Sequence, residues 1–174
     1  MSRRILLPKD LNRRLEGLSL INQESNGVLL YRRNEFECPV DAIFMTGIGN
    51  EGHVKAQPQR VRIVNEFFKR QPSYGFVKFH THTPRTIERY GIYYADHFSE
   101  QDITGYDEQI SADPAFMGMV ITPKTKLLYG LDNPKIEVVQ PPLGHNRRAR
   151  IITSSLNKIA SEMGIQLDLL SASR

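Results

Sequence analysis

The order of segments predicts a mixed α/β fold, a central mixed β-sheet flanked by helices within one domain. Three observations carry this expectation. Apolar residues recur at helical spacing in well-separated stretches, short apolar or alternating runs lie between them, and the helical segments alternate with adjacent strands rather than segregating from them. The chain has 174 residues, 40% of them apolar and 24% charged, which fits a single domain with a sizeable core. No internal repeat or linker divides it, so residues 1–174 read as one unit.

Each element has its own signal. Pro8 to Asn22 carries Leu11, Leu15, Leu18 and Ile21 on one helical stripe, with Pro8 and Asp10 suited to a first turn. Gly27-Val-Leu-Leu-Tyr31 reads as a buried strand, and Asp41 to Thr46 as a second, closed by Gly47-Ile-Gly49. The polar stretch from Asn50 to Ala56 reads as a loop. Pro58 to Arg70 is helical through Val61, Val64, Phe67 and Phe68, and Pro72 and Gly75 end it. Phe76 to His82 alternates apolar and polar residues, as a half-buried strand does. Thr83 to Phe98, rich in Tyr and Arg, shows no period and is expected to be irregular. Ser99 opens a helix that reaches Ile110. Phe116 to Thr122 and Lys126 to Tyr129 form an expected hairpin around Pro123-Lys124. Lys135 to Val139 is a last strand, stopped by Pro141-Pro142. Arg147 to Met163 is a last helix, with Ile152, Leu156, Ile159 and Met163 on one stripe, and residues 165–174 read as a tail.

Composition excludes several classes. One cysteine, Cys38, permits neither an internal disulfide framework nor a zinc site built from several cysteines. No apolar run approaches the ~20 residues of a membrane span, and the run after Arg3-Arg4 is too short for a signal peptide. The expectation is a cytoplasmic protein without a membrane partner. The net charge is +4, and arginines fall in pairs: Arg3-Arg4, Arg13-Arg14, Arg32-Arg33 and Arg147-Arg148. Such pairs suit nucleic acid or an acidic protein. A solvated surface is favoured over either, because no block of five like charges occurs.

Three features carry chemistry. In His80-Thr81-His82 the two imidazoles sit at i and i+2 of a strand, on one face and close enough to bind one metal. In Ser99-Glu-Gln-Asp102 the Ser and Asp share a helical face, which also fits a capping box in which Ser99 caps the helix. In Glu24-Ser-Asn-Gly27 a carboxylate stands where a helix meets a buried strand. There it either faces solvent or needs a partner inside.

Together the order Glu24, His80-Thr-His82, Ser99-x-x-Asp102 resembles the JAMM (MPN+) family of zinc metalloproteases and isopeptidases, over roughly Leu11 to Gly130. The family motif is a Glu ahead of a Gly-Leu-Leu-type strand, then His-x-His, then Ser-x-x-Asp. Here Glu24 precedes Gly27-Val28-Leu29-Leu30 and lies 56 residues before His80. Two departures stand out. Thr83 separates the second His from Pro84, and the stretch from His82 to Ser99 is longer than the family spacing. The extra segment, residues 83–98, would border the site as a lid or as a substrate-shaping surface.

The resemblance implies an MPN/JAB-like domain with one zinc ion per chain. His80, His82 and Asp102 would be its ligands, three protein groups as in other catalytic zinc sites. Glu24 would act as general base and then acid, and Ser99 as a hydrogen-bond donor to the oxyanion. It further implies hydrolysis of a peptide or isopeptide bond, at the C-terminal tail of a ubiquitin-like or sulfur-carrier protein. A homo-oligomer is compatible with the sequence. The rival expectations are a non-catalytic scaffold of the same fold and a basic nucleic-acid-binding domain.

Other residues are expected to stand aside. His97, beside Asp96, is a weaker rival ligand, and His53 and His145 read as surface residues in polar loops. Cys38 reads as a buried or idle thiol. Tyr90, Tyr93 and Tyr94 either pack the segment at 83–98 or offer a surface to a substrate. Gly47-Ile-Gly49-Asn-Glu-Gly52 lacks the Lys-Ser/Thr ending of a nucleotide loop.

Overall fold

Seven strands and five helices make up the computed structural model over the residues it describes, 2–34, 36–49 and 54–167. His53 and most of the polar loop around it lie outside these residues, as does the end of the tail. The strands form one mixed, nearly closed sheet in the order β6-β5-β4-β2-β3-β1-β7. Strand β1 (Arg4–Pro8) lies between β3 (Glu37–Ile48) and β7 (Lys135–Val139) and runs parallel to both. Strand β2 (Ser25–Arg32) is antiparallel to β3 and to β4 (Tyr74–Thr81). Strand β5 (Met117–Ile121) is parallel to β4 and forms the expected hairpin with β6 (Lys126–Gly130).

Period-two alternation sorts the core into two faces. Leu29 and Tyr31 of β2, Val77 and Phe79 of β4, and Met117, Met119 and Ile121 of β5 meet Leu11 and Leu15 of α1 (Lys9–Leu20). Val28 and Leu30 of β2 face the other way. They pack on Ile63, Val64 and Phe67 of α2 (Pro58–Arg70) and on Ile152, Leu156 and Ile159 of α5 (His145–Glu162). On that outer face, further along the sheet, Tyr106 of α4 (Glu100–Ala112) packs with Phe116 and Val120.

The expected elements are present, with four corrections. Residues 4–8 form a strand, because β3 and β7 pair with both edges of a run too short to declare itself alone. Residues 83–98 are not irregular. Thr83 accepts the Thr86 amide hydrogen as an N-cap and Pro84 occupies the first turn, so α3 (Pro84–Tyr90) forms, followed by a 3-10 turn at Ile92–Ala95. His145 is not a surface residue: it opens α5 at 2% exposure, with Nε2 3.3 Å from Asp10 Oδ2. The tail does not start free, since Ile165 and Leu167 pack against the α2–α5 core. Among the described residues no helix is long and apolar enough to cross a membrane.

Candidate metal centre

The site sits where β4 ends. His80 lies on an interior strand, opposite Asn26 of β2 on one side and Val120 of β5 on the other, so its backbone is fixed from both edges. The His82 amide donates to Ile121 O at 2.8 Å and carries the pairing past the strand end. His80 lies on the outer face, where α4 brings Asp102 to meet it. The two Nε2 atoms are 3.3 Å apart, His80 Nε2 is 3.1 Å from Asp102 Oδ1, and His82 Nε2 is 3.5 Å from Asp102 Oδ2. Ligand atoms at ~2.0–2.2 Å from a tetrahedral zinc are about 3.4 Å from one another. The triangle has the size, and the two imidazoles and one carboxylate have the chemistry, of a zinc-binding set.

The far nitrogens fix what the near ones present. Tyr94 O can only accept, so His82 Nδ1 at 3.1 Å carries the proton. The Tyr106 hydroxyl stands 3.2 Å from His80 Nδ1 and 3.3 Å from Met119 O, to which it can donate its one hydrogen while accepting from His80. With its proton on Nδ1, a neutral His82 presents its Nε2 lone pair to the triangle, the tautomer that metal ligation requires, and the Tyr106 hydroxyl stands where it can hold His80 the same way. Tyr106 reaches this position because its ring lies flat on Gly118 of β5, where a Cβ would stand 2.6 Å from ring carbons. Burial, with Asp102 nearby, pushes the Tyr106 phenol well up, so it stays a neutral hydroxyl.

Asp102 serves two purposes with two oxygens. Oδ2 accepts from the Ser99 amide at 2.9 Å and from Ser99 Oγ at 2.7 Å, while Ser99 Oγ accepts from the Asp102 amide at 3.1 Å. That is a complete capping box, and it leaves Oδ1 toward His80. The capping reading of this motif holds, and it leaves Oδ1 available to a ligand. Burial alone would raise the Asp102 carboxyl. The contacts with His80, His82 and Ser99 outweigh it and hold the group well below the usual carboxylate range.

Glu24 is buried at 5% exposure, not solvent-facing. Its Oε1 accepts from Thr86 Oγ1 at 2.6 Å, and Thr86 in turn meets Thr83 Oγ1 at 3.1 Å. Glu24 lies just ahead of β2, and extending the Asn26–His80 register by two residues sets it across from His82. The segment at 83–98 thus reaches the site three times: Thr86 to Glu24, Tyr94 O to His82, and Ala95 O to Thr122 Oγ1 at 2.6 Å. It is pinned wall rather than a detached flap. The Tyr94 ring lies 5.2 Å from the His82 ring, while Tyr93 and Ile92 remain exposed.

All five residues named from the sequence therefore lie around the end of β4. His97 stays outside, exposed and paired with Asp96. Sequence reasoning missed Tyr106, Thr86 and Gly118, and it named Tyr94 for its ring but not for its carbonyl. Tyr106 had a signal, since it stands four residues after Asp102 on one helical face. Thr86 stands three after the cap Thr83. The Tyr94 contact is a main-chain carbonyl and leaves no mark in the side-chain pattern.

No protein-family model matches the chain, and no curated protein matches it either. Among solved structures, it is similar to the solution structure of protein DSY2949 from Desulfitobacterium hafniense. The TM-score is 0.55 and the identity 15%, covering 81% of this chain and 97% of that one. A likeness at that identity concerns the fold alone.

Proposed function

We propose that the chain is a zinc-dependent metallopeptidase of the JAMM type, built on an MPN/JAB-like domain and acting in the cytoplasm. The reading rests on one observation above others: two imidazole nitrogens and a carboxylate oxygen converge at ligand spacing, with buried Glu24 just ahead of the adjoining strand β2. His80, His82 and Asp102 would hold the ion, one per chain. When bound, zinc supplies an acidified water and a polarised carbonyl.

The chain's own residues do the rest. Glu24 takes the proton of the attacking water and returns it to the leaving amine. Thr86 holds one carboxylate oxygen, which aims the group. Ser99 donates to the oxyanion, and to do so its hydroxyl hydrogen must leave Asp102 Oδ2. The Tyr94 ring and the pinned segment at 83–98 limit access on one side. The substrate class is the C-terminal tail of a ubiquitin-like or sulfur-carrier protein, cleaved at a peptide or isopeptide bond.

The first test is elemental mass spectrometry on the purified protein and its His82→Ala variant. The expected result is about one zinc per chain, lost in the variant. Absence of zinc from both, even after incubation with zinc, would sink the metallopeptidase reading. The second is hydrolysis of ubiquitin-like fusions by the wild type and Glu24→Gln. The variant should keep its zinc and lose cleavage by a factor of at least about a hundred. Unchanged cleavage would remove Glu24 as the base.

A further inference from the structure

A second site candidate lies at the opposite pole of the sheet. From Asn26, beside His80, strand β2 runs on to Tyr31 and past it to Arg33, on the order of 20 Å at ~3.3 Å per residue. There a cavity of about 370 Å³ opens, lined by Arg3, Tyr31, Arg33, Asn34, Cys38 and Ala115. The volume is at the small end of ligand pockets.

The lining has an unusual charge balance. Two guanidinium groups contribute, and among the described residues no carboxylate does. Arg3 donates to the Tyr31 hydroxyl, and Arg33 Nε donates to Tyr74 O at 2.8 Å, so each side chain is anchored at one end. Arg3, Arg33, Tyr31 and Cys38 all line this one space. Burial pushes both the tyrosine and the cysteine up, so neither supplies a negative charge. Arg3 is half-buried and Arg33 exposed, so both stay charged, and an anion between them relieves their mutual repulsion.

We propose that this cavity binds a phosphate-type oxyanion, held by the forks of Arg3 and Arg33, either as the free ion or as the terminal group of a small phosphomonoester. The planar fork of arginine matches such oxygens two at a time. The site is independent of the metal centre and of the reaction proposed there.

The test is an amide NMR titration of the full chain with sodium phosphate at constant ionic strength. Parallel arms use glycerol phosphate and the His82→Ala variant. Saturable shifts are expected at Tyr31, Arg33, Asn34, Cys38 and Ala115, persisting in His82→Ala. Arg33→Gln should weaken binding about tenfold, and the Arg3→Gln/Arg33→Gln pair should abolish it. Arg147→Gln, on α5, should leave it unchanged. Tighter binding of glycerol phosphate would assign the anion to a larger ligand, and equal binding to the free ion. Non-saturating shifts spread over surface arginines would overturn the proposal. So would shifts that vanish in His82→Ala, or binding that survives the double Arg variant.

Discussion

At the residue scale, the decisive contacts sit behind the metal triangle rather than in it. An imidazole offers a lone pair at Nε2 only when Nδ1 holds the proton, and Nδ1 holds it only when an acceptor waits there. Tyr94 O is such an acceptor for His82, and the Tyr106 hydroxyl stands where it can be one for His80. Tyr106→Phe keeps the ring packed against Phe98, Phe116 and Tyr129 but removes the acceptor for His80. Zinc affinity should fall about 10–100-fold, the usual consequence of losing such a partner, with the melting temperature little changed. Competition against a chromophoric chelator measures it. Equal affinity in the two proteins would mean that packing alone orients His80. The five residues named from the sequence were legible as a group because their residue types and spacing form one pattern, and they do meet around the end of β4. Tyr106 was not, because its role depends on Gly118 of β5, which lets the ring lie flat on the strand.

At the element scale, helix α4 carries both its own cap and a side of the proposed site, and Ser99 stands where the two meet. The Ser99–Asp102 box satisfies amide donors at the helix start, and the same box orients the carboxylate whose other oxygen faces His80. Ser99→Ala should cost about 1 kcal/mol, a drop of roughly 2–4 °C in the melting temperature. Ser99→Thr, which keeps a capping hydroxyl, should recover most of it. Thermal unfolding of the metal-free proteins reads this without any effect from zinc. A melting temperature unchanged in Ser99→Ala would show that the helix is held by packing of Tyr106 rather than by its cap. The same scale shows where sequence reading fell short. Thr83-Pro84 is as good a helix start as Ser99, yet the seven residues of α3 are too few to display a period. Strand β1 is shorter still, and its identity comes from two neighbours more than 30 and 130 residues away in the chain.

At the scale of the whole molecule, a buried ionic knot joins parts that are distant in sequence. Asp41 of β3 is fully buried. Its Oδ2 accepts from Arg32 Nε of β2 at 2.9 Å and from the Tyr74 hydroxyl of β4 at 3.3 Å, and its Oδ1 from Arg148 Nε of α5 at 2.9 Å. His145 Nδ1 stands 3.9 Å from Oδ1, while its Nε2 reaches Asp10 of α1. Two of the arginine pairs that look like surface charge in the sequence therefore each commit a member to the buried Asp41. Spacing could not reveal this, since the partners of Asp41 lie 9, 33 and 107 residues away.

Removing one member of a buried charge group strands the others, at a cost of about 3–5 kcal/mol. Arg32 and Arg148 keep side-chain exposures of 41% and 26%, so water can reach both, and the lower end of that range applies. Asp41→Ala should thus lose about 3 kcal/mol and lower the melting temperature by roughly 6–12 °C. Asp41→Asn retains an acceptor for one arginine and should fall between. Urea unfolding separates these outcomes, and a loss under about 1 kcal/mol for Asp41→Ala would show the knot to be incidental. Below its lowered melting temperature, Asp41→Ala should still bind zinc with unchanged affinity. The candidate ligands lie at the end of β4 away from Tyr74 and in the first turn of α4, where pairing with β2 and β5 and the packing of Tyr106 hold them without Asp41.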